Sequence, residues 1–144
     1  MSQTIEPARS GDLPAILSLL ERGGLTAVGL DQQLEAAVVA REGTRVLGCA
    51  AVELYGDAGL LRSVAVDPSS RGLGLGIRLT EAALTLARSR GVRTVYLLTE
   101  TAAQFFPRFG FRPIPREDVA AAVRRSVEFT EVCAVTAQAM VAEL

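Results

Sequence analysis

The stretch "VDPSSRGLGLGIRLTEAAL", residues 66–84, decides how this chain folds. Its three glycines, Gly72, Gly74 and Gly76, occupy alternate positions directly before apolar residues that recur at helical spacing. Glycine permits positive φ and a close approach to the backbone, while the first turn of a helix offers unpaired N–H groups and a partial positive charge. A strand before the glycines and a helix after them therefore predict a turn that binds phosphate.

Two standard phosphate-binding motifs do not fit this turn. The P-loop requires G-x-x-x-x-G-K-[ST], which is absent, and the dinucleotide fingerprint requires a third glycine where Ile77 or Leu79 stands. These mismatches exclude a P-loop ATPase and a dinucleotide-dependent dehydrogenase. A tight structural connection that binds no ligand remains the alternative for "RGLGLG" at 71–76.

Length and composition predict one globular domain over residues 1–144, because 49% of the residues are apolar and can bury a core. The net charge of −1 provides no overall field for nucleic acid or for an anionic membrane. Histidine is absent, which removes the commonest general base, the usual zinc ligand sets and histidine-dependent triads. We therefore expect no metal, no nucleic acid and no membrane partner.

Cysteine usage and the N-terminal sequence indicate a cytoplasmic protein. Cys49 and Cys133 lie far apart with no paired spacing, so we expect reduced thiols rather than a metal knuckle or a disulfide framework. The first residues lack the apolar region of a signal peptide, and no apolar run approaches the roughly 18 residues that span a bilayer.

The pattern around the glycines predicts an α+β domain with a mixed sheet. Asp12, Pro14 and the pair Gly23–Gly24 are residue types that start and end a helix, and Glu42–Gly43 joins two strands of a hairpin. We predict strands at 4–9, 36–42, 44–55, 58–66, 92–100, 111–114 and 132–141, and helices at 11–24, 30–36, from the glycine stretch to 91, 101–110 and 115–131.

The strand, the turn "RGLGLG" and the helix resemble the acyl-CoA pyrophosphate loop of the Gcn5-related N-acetyltransferase (GNAT) superfamily. That loop has Arg or Gln, two residues, Gly, one residue, then Gly or Ala, and the resemblance covers roughly residues 5–114. It implies an α+β, three-layer fold with a mixed, mostly antiparallel central sheet, helices on both faces and two splayed parallel strands.

The same resemblance implies that acetyl-CoA lies between the splayed strands. The pantetheine arm would pair with the strand backbone and the pyrophosphate would contact the amides of the turn. The residues so assigned to cofactor binding are Val64, Ala65, Val66, Arg71, Gly72, Leu73, Gly74, Leu75, Gly76 and Phe106.

A second motif, "LLTETAAQFFPRFGFRP" at 97–113, also fits the family but departs from it at Phe106. Many members have a tyrosine there, which can protonate the leaving thiolate of CoA, whereas phenylalanine cannot. A thiol of pKa ~8.5 leaves tolerably without full protonation. Water or Tyr55 is the candidate substitute, and a purely structural tyrosine is the alternative.

Acetyl transfer to an amine also requires a base, and a carboxylate is the usual choice where histidine is absent. Glu53, late on a predicted strand, is the first candidate, and Glu100, at the end of the strand after the long helix, is the second. The alternative for both is a solvated charge at the end of a strand.

Two further resemblances concern the acceptor. The segment at 97–111 is similar to the acetyltransferase domain of N-acetylglutamate synthases, and "LLRSVAV" with the tail "FTEVCAV" is similar to a stand-alone group of arsenic-resistance N-acetyltransferases. Both imply an α-amino acid acceptor. Against glutamate itself stands the tail, where Glu131, Val132 and Cys133 replace the basic residues and serine of the synthases.

Arg62 is the candidate for recognising an acidic acceptor, because a guanidinium within the apolar strand "GLLRSVAV" is costly unless it is paired. A salt bridge to Glu53 or Asp57 is the alternative. The remaining candidates for the acceptor pocket are Ser63, Tyr55, Thr99 and Cys133, of which the cysteine fits an apolar wall better than a nucleophile.

The sequence thus predicts an acetyl-CoA-dependent N-acetyltransferase. Its acceptor would be a small, glutamate-like amino acid, including arsenic- or phosphorus-containing analogues, whose amine attacks the thioester directly. The alternatives are a protein or peptide N-acetyltransferase and a catalytically weak sensor that binds acetyl-CoA. Whether two copies form a homodimer stays open.

Overall fold

A computed structural model describes residues 3–25, 27, 30, 36–126 and 137–144. In these ranges the chain forms, in order, β1 (Thr4–Pro7), α1 (Leu13–Arg22), β2 (Ala37–Glu42), β3 (Arg45–Tyr55), β4 (Ala58–Val66), α2 (Leu75–Ser89), β5 (Thr94–Thr99), β6 (Arg112–Ile114) and β7 (Gln138–Glu143). No helix within them has the length and apolarity needed to cross a membrane.

The strands form one sheet in the order β1-β2-β3-β4-β5-β7-β6, in which neighbours are antiparallel except β4 and β5. The parallel pair is short, because Ala58–Leu60 lie opposite Thr94–Tyr96. Beyond Leu60, β4 continues along β3 and β5 continues along β7. The two parallel strands therefore separate and leave a wedge, which confirms the predicted mixed sheet with its splayed pair.

Helix α1 covers one face of the sheet. Pro14 lies in its first turn, and the Asp12 carboxylate before it accepts hydrogen bonds from the Arg9 amide (2.9 Å) and from both Arg41 nitrogens (3.0 and 2.9 Å). The Arg41 guanidinium holds the pKa of the Asp12 carboxyl below its usual value. This ion pair fastens the start of the helix to β2.

Helix α2 covers the opposite face. Successive β2 residues show this, because Val38 belongs to the apolar cluster that contains the α2 residues and Val39 to the cluster that contains the α1 residues. Helix α2 passes close to β3 at Gly48, where an added Cβ would lie 2.7 Å from Leu79 Cδ1 and 2.9 Å from the Ala65 carbonyl oxygen. Helices on both faces were predicted, and the structure has them.

Two predicted helices are wrong within the described residues. Residues 101–110 contain a single 3₁₀ turn, Phe106–Phe109, because Pro107 lacks the N–H that a longer helix would need at that position. Residues 115–126 form the 3₁₀ turns Arg116–Asp118 and Val123–Arg125 instead of one helix.

Packing explains the second error. Val119 is extended (φ −72°, ψ 139°), and it and Val123 are buried against the sheet in a third apolar cluster with Leu60 and Val141. A short alanine-rich helix is marginal by itself, so burial of the two valines decides the backbone. The predicted helix at 30–36 lies mostly outside the described residues, as do residues 127–131 and the start of the predicted last strand.

Candidate active site

The wedge between β4 and β5 opens into a cavity of about 690 Å³. Its walls are the second half of β4, the end of β5, the glycine turn and the residues that follow α1. Of the residues predicted to bind the cofactor, those that line it are Val64, Ala65, Val66, Arg71, Gly72, Gly74, Leu75, Gly76 and Phe106. Leu73 does not line it, and its side chain is 55% exposed.

The glycine turn has the geometry of an anion cradle. Gly72 and Gly74 have φ of +85° and +75°, and an added Cβ at either position would meet no atom within 4 Å, so the space beside them is open. Within the described residues, the N–H groups of Gly72, Leu73 and Gly74 donate to no acceptor. The turn leads directly into α2, whose first N–H groups are also unpaired. This arrangement fits the pyrophosphate of CoA.

Asp67 anchors the start of that turn. Its carboxylate accepts from the Ser69 amide (2.9 Å) and hydroxyl (2.7 Å), from Arg22 Nη1 (3.2 Å) and from Arg45 Nη2 (3.3 Å). The Ser69 hydrogen bonds, followed by Arg22, hold the pKa of the Asp67 carboxyl well below its usual range. The sequence indicated a turn at Asp67–Pro68 but not these ion pairs, which tie the turn to α1 and β3.

A β-bulge interrupts β4 at Ser63. Cys49 lies opposite Ala65 and Ala51 opposite Arg62, so one residue of β3 faces two of β4. Ser63 has φ of +60°, and it is the non-glycine residue with positive φ in the described part of the chain. Cys49 Sγ donates to the Ser63 carbonyl oxygen (3.2 Å), and burial raises the pKa of this thiol to about 12. A bulge bends its strand, which accounts for the departure of β4 from β5.

Beside the bulge lies a buried ion pair. Arg62 Nη1 is 2.7 Å from Glu53 Oε2, and the two side chains are 1% and 3% exposed. The other Glu53 oxygen accepts from the Tyr55 hydroxyl, and Arg62 Nε donates to Ser63 Oγ (3.1 Å). Of the two alternatives for Arg62, the structure contains the salt bridge, with Glu53 and not with Asp57 as its partner.

Tyr55 completes this cluster. Its hydroxyl also hydrogen-bonds Ser126, and burial, followed by the bond to Glu53, raises the pKa of Tyr55 to about 12. The hydroxyl therefore stays protonated at neutral pH and donates to the carboxylate. Tyr55 does not line the cavity, so it is not placed to protonate a leaving group there.

The two candidate bases lie in different surroundings. Glu53 does not line the cavity and both of its oxygens already accept hydrogen bonds, a position that does not suit a general base. Glu100 is exposed and lines the cavity at the end of β5. Among the described residues that line the cavity, it is the one with a carboxylate. This geometry favours Glu100 as the base, and the identity of the base stays a prediction.

The other predicted pocket residues are placed as follows. Ser63 and Thr99 line the cavity, although Thr99 Oγ1 already accepts from the Ala102 amide (2.9 Å). Phe106 is buried among Phe105 and Phe111 in edge-to-face contacts. Cys133 lies outside the described residues.

Sequence reasoning missed one wall of the cavity. The end of α1 and the turn after it, including Arg22 and Leu25, line the cavity opposite β4. The Gly23–Gly24 pair was the available signal, since it indicated that the helix ends there. The pair predicts a helix end but does not by itself predict a cavity wall.

A family model described as an acetyltransferase (GNAT) domain matches residues 33–113. The amino-acid acetyltransferase of Mycobacterium tuberculosis is 34% identical over 140 residues, which cover 90% of this chain and 76% of that protein. The amino-acid acetyltransferase of Pseudomonas fluorescens is 36% identical over 119 residues, which cover 78% of this chain but 27% of that protein.

Solved structures with the same fold include N-acetylglutamate synthase from Neisseria gonorrhoeae, complexed with coenzyme A and N-acetyl-glutamate. It superposes with a TM-score of 0.83 at 23% identity, over 100% of this chain and 35% of that chain. A Mycobacterium tuberculosis protein in complex with CoA superposes with a TM-score of 0.82 at 28% identity, over 98% of this chain and 99% of that chain.

Proposed function

Since the chain belongs to the GNAT acetyltransferase family and is an acetyl-CoA-dependent N-acetyltransferase, we propose that its acceptor is the amine of a small, glutamate-like amino acid. The observation that carries this proposal is the wedge between β4 and β5, which ends at a turn with unpaired N–H groups. Such a cavity holds an elongated cosubstrate with its phosphates at one end and leaves the other end for a small acceptor.

In this proposal the backbone of the chain binds acetyl-CoA. The N–H groups of the glycine turn bind the pyrophosphate, Arg71 adds an exposed positive charge beside it, and Val64–Val66 pair with the pantetheine arm. Acetyl-CoA supplies an activated acetyl group as a thioester.

The support for an amino-acid acceptor comes chiefly from the relatives, two of which are named amino-acid acetyltransferases. Three arginines line the cavity with the carboxylate of Glu100, but Arg62 is paired with Glu53 and Arg22 with Asp67. Arg71 is assigned here to the pyrophosphate. The charges of the described lining therefore do not select the acceptor, and the amino-acid proposal rests on the relatives.

The proposed chemistry is direct transfer. Glu100, directly or through water, takes a proton from the acceptor ammonium, and the free amine attacks the carbonyl carbon of the thioester. The carbon–sulfur bond breaks and CoA leaves as a thiolate that takes a proton from water. The nitrogen loses its second proton to water, which leaves a neutral amide. No tyrosine hydroxyl is needed for this route, which agrees with Phe106 at the position where many members have one.

A substrate screen tests the proposal. CoA release from acetyl-CoA would be followed by chromatography with L-glutamate, L-glutamine, L-leucine, the phosphinic and arsinic analogues of glutamate, and a peptide with a free N-terminus. We expect the highest kcat/KM for an acidic α-amino acid or one of its analogues. Glutarate is the matched control, since it has both carboxylates and no amine.

Two outcomes would contradict the proposal. Turnover with the peptide alone would assign the protein or peptide acceptor, and acetyl-CoA binding without turnover would assign the sensor. The chain contains no lysine, so acetylation of its own lysine side chains does not consume acetyl-CoA in this assay.

A further inference from the structure

Ser63 is held in a conformation that a serine disfavours. Its φ of +60° is in the left-handed region, where the Cβ of an L-residue is crowded by the backbone. Two side chains of the described residues donate hydrogen bonds to Ser63: Arg62 Nε to its Oγ (3.1 Å) and Cys49 Sγ to its carbonyl oxygen (3.2 Å). Its environment therefore compensates for the disfavoured φ.

Arg62 is in turn held from the opposite side. Its guanidinium is almost fully buried, and Glu53 is 2.7 Å away on the Nη1 side while Ser63 is on the Nε side. Tyr55 donates to the second oxygen of Glu53, and the Ser126 hydroxyl bonds Tyr55. A buried guanidinium with fixed partners on two sides cannot rotate without losing one of them.

We propose that Arg62 is a positioning residue for the cosubstrate: held by Glu53 and Tyr55, it keeps Ser63 in the bulge and so keeps the backbone of Val64–Val66 open to the pantetheine arm of acetyl-CoA. These three residues follow the bulge directly, are half-buried and line the cavity. A one-residue change in strand register would turn each of them to the other face of the sheet. The inference rests on the proposed function, because it takes acetyl-CoA as the ligand.

The test measures separately how the pantetheine arm and the phosphates of CoA contribute to binding. Affinity would be measured by calorimetry for CoA and for adenosine 3′,5′-bisphosphate, which has the phosphates and lacks the pantetheine arm. Arg62→Lys keeps the positive charge beside Glu53 but cannot reach Glu53 and Ser63 together, because lysine lacks the planar fork. We expect CoA affinity to fall about tenfold, with nucleotide affinity unchanged.

A rescue distinguishes positioning from general loosening. Glycine adopts positive φ without strain, so Ser63→Gly keeps the bulge without help from Arg62. We expect Ser63→Gly to bind CoA like the unaltered protein, and the double variant Ser63→Gly/Arg62→Lys to recover most of the affinity that Arg62→Lys loses. Ser63→Ala is the matched control, because it keeps the Cβ and removes the acceptor, and we expect it to weaken CoA binding. Thermal unfolding of each variant establishes that it is folded at the assay temperature.

Three results would overturn the inference alone: unchanged CoA affinity in Arg62→Lys, equal losses for CoA and the nucleotide, or no recovery in the double variant. A rise in acceptor KM with unchanged CoA affinity would likewise overturn it and would assign Arg62 to acceptor recognition. If the unaltered protein did not bind CoA, the proposed function would fail, and the inference with it.

Discussion

The glycine turn and the bulge flank the last residues of β4, but they are held in different ways. The turn is exposed, and the N–H groups of Gly72–Gly74 have no acceptor within the described residues. The bulge is buried, and its polar groups are satisfied by side chains: Cys49 of β3 and Arg62 of β4 donate to Ser63, and Glu53 of β3 accepts from Arg62. The turn adopts positive φ at Gly72 and Gly74, so it needs glycine and is recognisable in the sequence. A site held by side chains across strands depends on register and leaves little trace.

The largest expected effect is that of Glu100→Gln, which tests whether a side chain of the cavity takes part in the chemistry. Glu100→Gln should lower kcat by about 10²–10⁴-fold with little change in CoA affinity, because loss of a general base slows the reaction and not the binding. Steady-state kinetics and calorimetry measure the two quantities. Glu81→Gln, an exposed carboxylate of α2 away from the cavity, is the control. An unchanged kcat would mean that the acceptor arrives deprotonated and that the chemistry, like the binding, relies on backbone.

Gly74→Val tests the turn directly. A valine at φ +75° is strained and places its methyl groups in the open space of the cradle. We expect CoA affinity to fall about 100-fold or more by calorimetry. Gly43→Val is the matched control, because Gly43 has φ of +61°, equally open surroundings and no contact with the cavity. If both variants bind CoA like the unaltered protein, the turn is only a structural connection.

A substitution of Asp67 tests how far the stability of the turn depends on a side chain. Its pKa lies below that of an unfolded aspartate, about 3.9, so the carboxylate stabilises the fold above about pH 4, and that contribution is lost as the pH falls through the folded-state pKa. Asp67→Asn should therefore lower Tm at neutral pH, and the difference from the unaltered protein should narrow below about pH 4. Asp57→Asn, at an exposed residue away from the turn, is the control for removing a surface carboxylate. A constant Tm difference would mean that ionisation of Asp67 does not matter.

The smallest expected effect concerns Arg71. Its side chain is exposed, and a surface charge beside a phosphate is partly screened by salt. Arg71→Ala should weaken CoA binding about fivefold at low ionic strength, and the difference should shrink as salt is added. A loss as large as that of Gly74→Val would contradict the assignment of the turn's affinity to its backbone.

The fold around the turn was largely predictable. The predicted strand at 58–66 has the bounds of β4, and the predicted hairpin at Glu42–Gly43 joins β2 and β3. Residue types with strong backbone preferences decide these elements, so the pattern of glycine, proline and apolar residues was enough. Most of the residues predicted to bind the cofactor line the cavity for the same reason, since its walls there are a strand end and a turn.

The bulge could not be predicted, and for the salt bridge of Arg62 the sequence left both Glu53 and Asp57 as possible partners. Glu53 lies opposite Leu60 and Arg62 opposite Ala51, so their side chains meet diagonally across two strands, and only the register shows that they pair. Without the register, the sequence predicts Glu53 as the first candidate base. The helix predicted at 115–126 is wrong for a related reason, because burial of Val119 and Val123 overrides the local helix preference.

The short ladder between β4 and β5 has a consequence for how the molecule unfolds. It joins one half-sheet, β1–β4, to another, β5–β7–β6, through residues Ala58–Leu60 and Thr94–Tyr96. A cosubstrate bound in the wedge would extend that junction, and a ligand that binds only the folded chain adds about 2.7 kcal/mol to its stability at a concentration of roughly 100 times Kd. A higher concentration of acetyl-CoA would then make the two half-sheets unfold more nearly as one cooperative unit.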